Sequence, residues 1–210
     1  MPALRTLVVG DSVEPWEQLG FNVINGTIRL GRVTIVLGGR EATEGITGWS
    51  IAGVDSDVDG LATVSVPTLV PANRLEPHHN GVFGVDRLTI HTDDVDRSAM
   101  AFESVGIQQR EPAVFWAGRS IIELRAPSPS AIEASGRATF GRLTVVCDDF
   151  DRTAGVLDSL LAPRRDAAQT GRVVSTLNTA EAGVSVPIDI ISPHPNAGIE
   201  HIAAEARTTR

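Results

Sequence analysis

Four charged residues occupy matched positions in two stretches of the chain, and their types limit the chemistry they could do. Arg87 and Arg142 begin the sequences "RLTIHTDDVDRS" and "RLTVVCDDFDRT". Glu123 and Asp189 lie in the later sequences "IELRAP" and "IDIISP". An arginine guanidinium stays cationic and can form two parallel hydrogen bonds to a carboxylate or phosphate. If the four side chains converge, they form either a structural network of ion pairs or a cleft that binds an anion.

The two stretches predict the same local structure, a strand followed by a capped helix. Residues 88–92 and 143–147 are apolar with alternation, as strands are. Asp94 and Asp149 stand where a helix N-cap belongs. Three segments with strand character follow each helix, so each unit is β-α-β-β-β. This internal repeat predicts an α+β fold in which the units pair into curved mixed sheets around a cleft.

Strand alternation predicts which side chains face that cleft, because successive side chains of a strand point to opposite faces. The apolar residues of each opening and closing strand face the helix, so the residues between them face the cleft. The expected ligand-binding residues are Arg87, Thr89, His91, Glu123, Arg125, Arg142, Thr144 and Asp189. Among them, His91 is the candidate for a catalytic residue, because imidazole can act as a general base near neutral pH.

The N-terminal part of the chain resembles the repeated unit in a degenerate form. "ALRTLVVGDSVEPWEQLGF" aligns with the opening strand and helix, and "TIRLGRVTIVL" shares a Gly-Arg pair with "VFWAGRSIIEL". This alignment puts Arg5 and Val36 in the places of the opening-strand arginine and the closing-strand carboxylate. The N-terminal copy is therefore expected to have no ligand set of its own.

The predicted domain organisation follows from these repeats. Residues 1–66 form the degenerate N-terminal half, and residues 82–196 form a domain of two β-α-β-β-β units. Residues 67–81 contain prolines without apolar periodicity and are predicted to be a linker, with His78 exposed to solvent. Residues 197–210 form a C-terminal tail.

Composition excludes several classes of function. The chain of 210 residues has a net charge of −8, and all 18 of its basic residues are arginine. An acidic chain without a basic run is not expected to bind nucleic acid. No apolar run approaches the ~20 residues of a membrane span, and the N-terminus lacks a signal-peptide pattern, so we expect a cytoplasmic protein.

Without lysine the chain has no residue for a lysine Schiff base, and the single Cys147 is expected to be buried and inert. Abundant arginine without lysine suggests a GC-rich bacterial genome.

Two β-α-β-β-β units in register resemble the vicinal oxygen chelate superfamily, which contains glyoxalases, bleomycin-resistance proteins and extradiol dioxygenases. The resemblance rests on the two strand–helix patterns and on "IELRAP" and "IDIISP", and it extends weakly over the N-terminal part. It implies a glyoxalase-like fold with a small-molecule ligand, of anionic character here, in the cleft. It leaves open whether the protein is a homodimer.

The resemblance also identifies where a metal would lie. Members of the superfamily hold a divalent metal with His or Gln on each opening strand and usually Glu on each closing strand. The matching positions here are Arg87 and Arg142, with Glu123 and Asp189. Because a guanidinium has no lone pair to offer a metal, we expect no cofactor and a metal-free protein that binds or sequesters a small molecule. The alternative is a lyase, isomerase or dioxygenase that holds one Fe, Mn, Ni or Zn ion with ligands such as His91 and the two carboxylates.

Overall fold

A computed structural model describes residues 1–39, 43–64, 77–127 and 136–195. Most of the predicted linker and all of the predicted C-terminal tail lie outside these residues. The N-terminal elements are β1 (Ala3–Val9), α1 (Val13–Gln18), β2 (Thr27–Leu30), β3 (Val33–Leu37) and β4 (Ile46–Ala52). The next unit contains β5 (Val82–His91), α2 (Val95–Ser104), β6 (Gln108–Glu111), β7 (Val114–Ala117) and β8 (Ser120–Arg125). The last unit contains β9 (Thr139–Cys147), α3 (Phe150–Leu157), β10 (Arg165–Asp166), β11 (Val173–Thr176), α4 (Thr179–Ala182) and β12 (Ile188–Ile191).

The two complete units share one mixed sheet with the order β10-β11-β12-β9-β5-β8-β7-β6. In each unit the opening strand pairs in parallel with the closing strand, β5 with β8 and β9 with β12. The two opening strands then pair with each other, antiparallel, at the centre. Each half of the sheet therefore repeats the other about its middle, and the predicted α+β fold of paired β-α-β-β-β units is confirmed.

The helices start where the sequence predicts. The Asp94 carboxylate accepts a hydrogen bond from the Arg97 backbone N–H at 2.9 Å, and Asp149 does the same for Arg152 at 3.0 Å. These caps satisfy backbone donors that have no partner inside the helix. The apolar side chains of β5 and β9 that alternate with the cleft residues are buried in the core. Strand alternation thus separates the helix-facing side of the sheet from the cleft-facing side.

The N-terminal elements form a second sheet with the order β2-β3-β1-β4. β1 runs parallel to β3, as an opening strand does to its closing strand, and β4 runs antiparallel to β1, as β9 does to β5. If β4 is taken as the opening strand of a next unit, the N-terminal unit consists of β1, α1, β2 and β3 and has one strand fewer than each complete unit. Its arrangement agrees with a degenerate copy of the same repeat.

The pairing of β1 corrects the predicted place of Arg5. Thr6 lies opposite Thr34 in β3, whereas Arg87 lies opposite Ile121 in β8. If the two Gly-Arg turns that precede β3 and β8 are equivalent, Thr6 and not Arg5 occupies the place of Arg87. The β1–β4 register shifts at Arg5, so this residue is an extra one in a β-bulge. Sequence alignment alone could not detect the bulge.

Asp11 connects the N-terminal sheet to the last unit. Its buried carboxylate accepts hydrogen bonds from the Trp16 Nε1–H at 3.0 Å, the Ser185 backbone N–H at 3.1 Å and the Ser185 hydroxyl at 2.5 Å. A buried carboxylate needs such donors, since an unpaired one is costly to remove from water.

The expectation that His78 is solvated is wrong, because this side chain is only 4% exposed. Its Nδ1 accepts a hydrogen bond from the Asn22 backbone N–H, and its Nε2 lies 2.9 Å from the Arg29 carbonyl oxygen. Nδ1 must be unprotonated to accept, so Nε2 carries the proton of the ring and donates a hydrogen bond to the Arg29 carbonyl oxygen. Burial lowers the pKa of His78, although the bond to the Arg29 carbonyl opposes this effect.

Among the described residues, no helix is long and apolar enough to cross a membrane.

Candidate functional site

A cavity of about 720 Å³ lies on the cleft-facing side of the large sheet. It falls within the size range of small-molecule sites, roughly 300–1,000 Å³. All eight residues predicted for the cleft line it, namely Arg87, Thr89, His91, Glu123, Arg125, Arg142, Thr144 and Asp189. Gly45 and Ile46, at the start of β4, contribute to its wall from the N-terminal sheet. The structure thus brings the predicted residues together, and their role in binding remains a prediction.

In the first half of the cavity, one carboxylate is shared by two arginines. Arg87 donates through Nη1 to Oε2 of Glu123, and Arg125 donates through Nε and Nη2 to Oε1 at 3.0 Å and 2.8 Å. Burial of Glu123 opposes its ionisation, but the hydrogen bonds from Arg87 and Arg125 outweigh that effect and lower the pKa of this carboxyl. Glu123 is therefore anionic at neutral pH, and both of its oxygens are engaged.

The second half repeats this arrangement around Asp189. Arg142 donates through Nη1 to Oδ1 of Asp189 at 2.9 Å, and the Thr176 hydroxyl donates to the same oxygen at 2.7 Å. Arg165 Nη2 lies 3.8 Å from the other oxygen, Oδ2. Glu123 in the first half and Asp189 in the second half are thus each flanked by two arginines. The two repeated units therefore place charged side chains in a similar arrangement.

The arginines have donors to spare. A guanidinium has five N–H groups, and within the described part of the chain Arg87 and Arg142 each use one nitrogen, Nη1, in these bonds. Their side chains line the cavity beside the buried hydroxyls of Thr89 and Thr144. These groups can donate further hydrogen bonds to an oxyanion in the cavity.

Asp86 also lines the cavity, although strand alternation would place it on the helix side. The register between β5 and β9 shifts between Val85 and Arg87, so Asp86 is the extra residue of a β-bulge. Its Oδ1 accepts from Nη1 of the buried Arg172 at 2.6 Å, while its Oδ2 is buried with no hydrogen-bond partner among the described residues. Sequence patterning has no signal for such a bulge, and therefore Asp86 was not predicted.

His91 lies at the far end of the same strand face as Arg87. Its Nδ1 is buried and has no hydrogen-bond partner within the described residues. The ring packs closely over Gly141, where an added Cβ would lie 2.5 Å from Cδ2 and 2.6 Å from Nε2 of the imidazole. Gly141 thus leaves the space that this histidine ring occupies.

The remaining candidate for site chemistry is Cys147, which the structure buries completely, as predicted. Burial raises the pKa of its thiol, which disfavours the nucleophilic thiolate. Among the described residues, no three His, Cys, Asp or Glu side chains are grouped so that they could hold a metal ion. The chemistry of the cavity thus lies in its arginines, carboxylates, hydroxyls and one imidazole.

No family model matches the sequence, and no curated protein matches it. Solved structures similar to this chain include methylmalonyl-CoA epimerase from Mycobacterium tuberculosis, at 18% identity and a TM-score of 0.42, with 57% of this chain and 93% of that chain covered. A hypothetical protein from Bacillus halodurans has 18% identity and a TM-score of 0.41, with 54% and 96% covered. A Streptomyces coelicolor methylmalonyl-CoA epimerase variant in complex with 2-nitronate-propionyl-CoA has 14% identity and a TM-score of 0.39, with 53% and 94% covered. The fold itself rests on the strand order and pairing of the two units.

Proposed function

We propose that this chain is a glyoxalase-like protein that binds a small anionic molecule in its cleft without a metal. One observation carries the proposal. At both opening-strand positions where the resemblance places a metal ligand, an arginine is paired with the carboxylate of the closing strand, Arg87 with Glu123 and Arg142 with Asp189.

Such a pair disfavours a metal for two reasons. A guanidinium is cationic and has no lone pair, so it repels a divalent cation and cannot coordinate it. The carboxylates that could coordinate are already engaged, and a metal would have to displace Arg87 and Arg125 from Glu123. That displacement would leave the half-buried Arg87 without its counter-charge.

The same groups favour an oxyanion. Arg87 and Arg142 have unused N–H donors, and they can hold a carboxylate or phosphate in addition to the carboxylates they already contact. The half-buried Asp86 is paired with Arg172, so it does not cancel these arginines. A ligand with two anionic groups fits the two halves best, because Glu123 and Asp189 are each flanked by two arginines.

The test is a binding screen on the full chain, by thermal shift and then calorimetry. The panel holds dicarboxylates, phosphate monoesters and coenzyme A thioesters, since these carry the groups that arginines bind. Arg142→Gln and Arg87→Gln should each weaken a hit by roughly tenfold or more. Arg164→Gln is the matched control, because Arg164 pairs with the exposed Asp151 outside the cavity. A panel without any saturable hit, or hits that the control weakens equally, would contradict the proposal.

A metal-dependent lyase, isomerase or dioxygenase is the second candidate, and the unpartnered Nδ1 of His91 favours it. A buried imidazole nitrogen with a free lone pair is a good ligand for Zn, Fe, Ni or Mn. Elemental analysis of protein purified without chelators separates the two candidates. About one equivalent of metal per chain, lost in His91→Ala, would support the second candidate and refute the first.

A further inference from the structure

A second cavity, of about 420 Å³, lies where the N-terminal sheet meets the large sheet. It shares no lining residue with the arginine–carboxylate cleft. Its wall comes from β1, from the turns before β3 and β8, and from the first residues of β5. The cationic side chains among its lining residues are Arg5, Arg32 and Arg119.

Two of these arginines come from equivalent hairpin turns. Leu30 pairs with Val33, and Ala117 pairs with Ser120, so each hairpin has a two-residue loop of sequence Gly-Arg. The glycines have φ values of +62° and +72°, and the arginines that follow do not have positive φ. A glycine with positive φ at the first loop position is the pattern of a type II′ turn. The repeat thus places Arg32 and Arg119 at the same position of the same turn.

The third arginine reaches this cavity because of an irregularity in β1. Arg5 is the extra residue where β1 and β4 shift register, and a bulge re-aims the side chain it carries. The bulge removes Arg5 from the position equivalent to Arg87 and leaves it among the lining residues of this second cavity. Three arginines from three separate elements therefore border one space.

Within the described parts of the chain, no carboxylate is paired with these arginines. The lining residues include no Asp or Glu, and Arg5, Arg32 and Arg119 form no ion pair or hydrogen bond with any described side chain. They stand exposed on a chain whose net charge is −8. A local cluster of positive charge on an acidic protein attracts anions and repels cations.

The rest of the wall is apolar. Leu4, Leu30, Val33 and Val85 are buried and line the cavity, while Phe83 beside them is 50% exposed. An exposed phenylalanine next to an apolar cavity indicates surface that an apolar group could cover. Water molecules against this wall form no hydrogen bonds with its side chains, because these are apolar.

We propose that this cavity binds a small amphipathic anion, with its apolar part against Phe83 and its carboxylate or phosphate held by Arg32 and Arg119. The charge of the arginines selects the anionic group, and the apolar wall selects the body that carries it. This site is separate from the cleft of the proposed function and does not depend on it.

The experiment measures binding of straight-chain carboxylates from hexanoate to decanoate to the full chain by calorimetry. Saturable octanoate binding is expected, with octanol and inorganic phosphate at least tenfold weaker, since each lacks one half of the ligand. The double variant Arg32→Gln and Arg119→Gln should weaken octanoate by roughly tenfold to a hundredfold. Because both arginines lie in exposed turns, folding should persist, and circular dichroism checks this. Raising NaCl from about 0.05 to about 0.5 M should weaken binding to the unchanged chain as well.

Two control variants localise the effect. Arg110→Gln removes an exposed charge outside the cavity and should leave octanoate binding unchanged. Arg142→Gln alters the cleft of the proposed function, so octanoate binding that only this variant weakens belongs to that cleft, and failure of either proposal can be recognised alone. Octanoate binding that the double variant or salt does not alter would overturn the inference. Octanol binding as tight as octanoate binding would also overturn it, as would equally tight phosphate binding that the double variant weakens. A dimer in sedimentation that the double variant dissociates would overturn it too, because a second copy would then fill the cavity.

Discussion

The Arg87–Glu123 pair offers the sharpest test of the cleft, through the change Glu123→Ala. The side chains of Glu123 and Arg87 are only 15% and 21% exposed, so the change leaves a largely buried guanidinium without its counter-charge. Removing one member of a fully buried pair costs about 3–5 kcal/mol, and an exposed pair about 0–1 kcal/mol. An intermediate loss of about 2 kcal/mol in the free energy of unfolding is expected here. For a chain of this size, that loss lowers the melting temperature by about 4–8 °C.

Replacing both partners should restore much of this stability. In the double variant Glu123→Leu with Arg87→Leu, no buried charge is left unpaired, because Arg125, the other partner of Glu123, is 60% exposed, and apolar side chains fill the space. Urea unfolding gives the free energies of the parent, the single variant and the double variant. Asp151→Ala is the control, because Asp151 and its partner Arg164 are 86% and 64% exposed. If Glu123→Ala costs no more than the control, or if the double variant is as unstable as the single one, the stranded-charge reasoning is refuted.

Three further outcomes follow from contacts outside this pair. Because burial lowers the pKa of His78, the unfolded chain binds a proton at a higher pH than the folded chain does. The free energy of unfolding should therefore fall as the pH drops from about 7.5 to about 5, and in urea titrations His78→Gln should make this fall smaller. Asp11→Ala leaves the N–H donors of Ser185 and the nearby indole unpaired and should cost about 2–3 kcal/mol, whereas Asp11→Asn should cost less, both measured by calorimetry. Gly141→Ala should destabilise by about 1–3 kcal/mol because its Cβ meets the His91 ring. Adding His91→Ala should restore part of the loss in urea midpoints, since the Cβ also lies 3.0 Å from the Thr89 carbonyl oxygen.

The part of the fold that sequence predicted is the part that repeats. Asp94 and Asp149 cap helices because each follows a strand and precedes an apolar stripe, and both caps form as expected. Alternation in β5 and β9 also distinguishes the apolar side chains of the core from the polar side chains beside the cavity. Local rules of this kind work where the backbone is regular, and there the same rule could be checked twice in one chain.

The errors lie where regularity fails. A β-bulge brings Asp86 into the cavity, and a second bulge removes Arg5 from its predicted place. In both strands one extra residue changes which face of the sheet the side chains beyond it point to. His78 was expected in solvent because its neighbours lack periodicity, yet the Asn22 backbone N–H binds it from across the fold. These features depend on pairing between distant strands and segments, which a single sequence does not show.

The repeat placed arginines near the start of three opening strands, and the structure gives them two different electrostatic environments. Arg87 and Arg142 lie opposite carboxylates, so their charges are compensated before any ligand arrives. Arg5, one residue out of register, lies in a cavity without a carboxylate among its lining residues. Under the two proposals, an anion in the first site would share arginines with Glu123 and Asp189, whereas an anion in the second would meet arginines that no described carboxylate compensates. Charge balance, rather than the shared fold, therefore distinguishes what the two sites can bind.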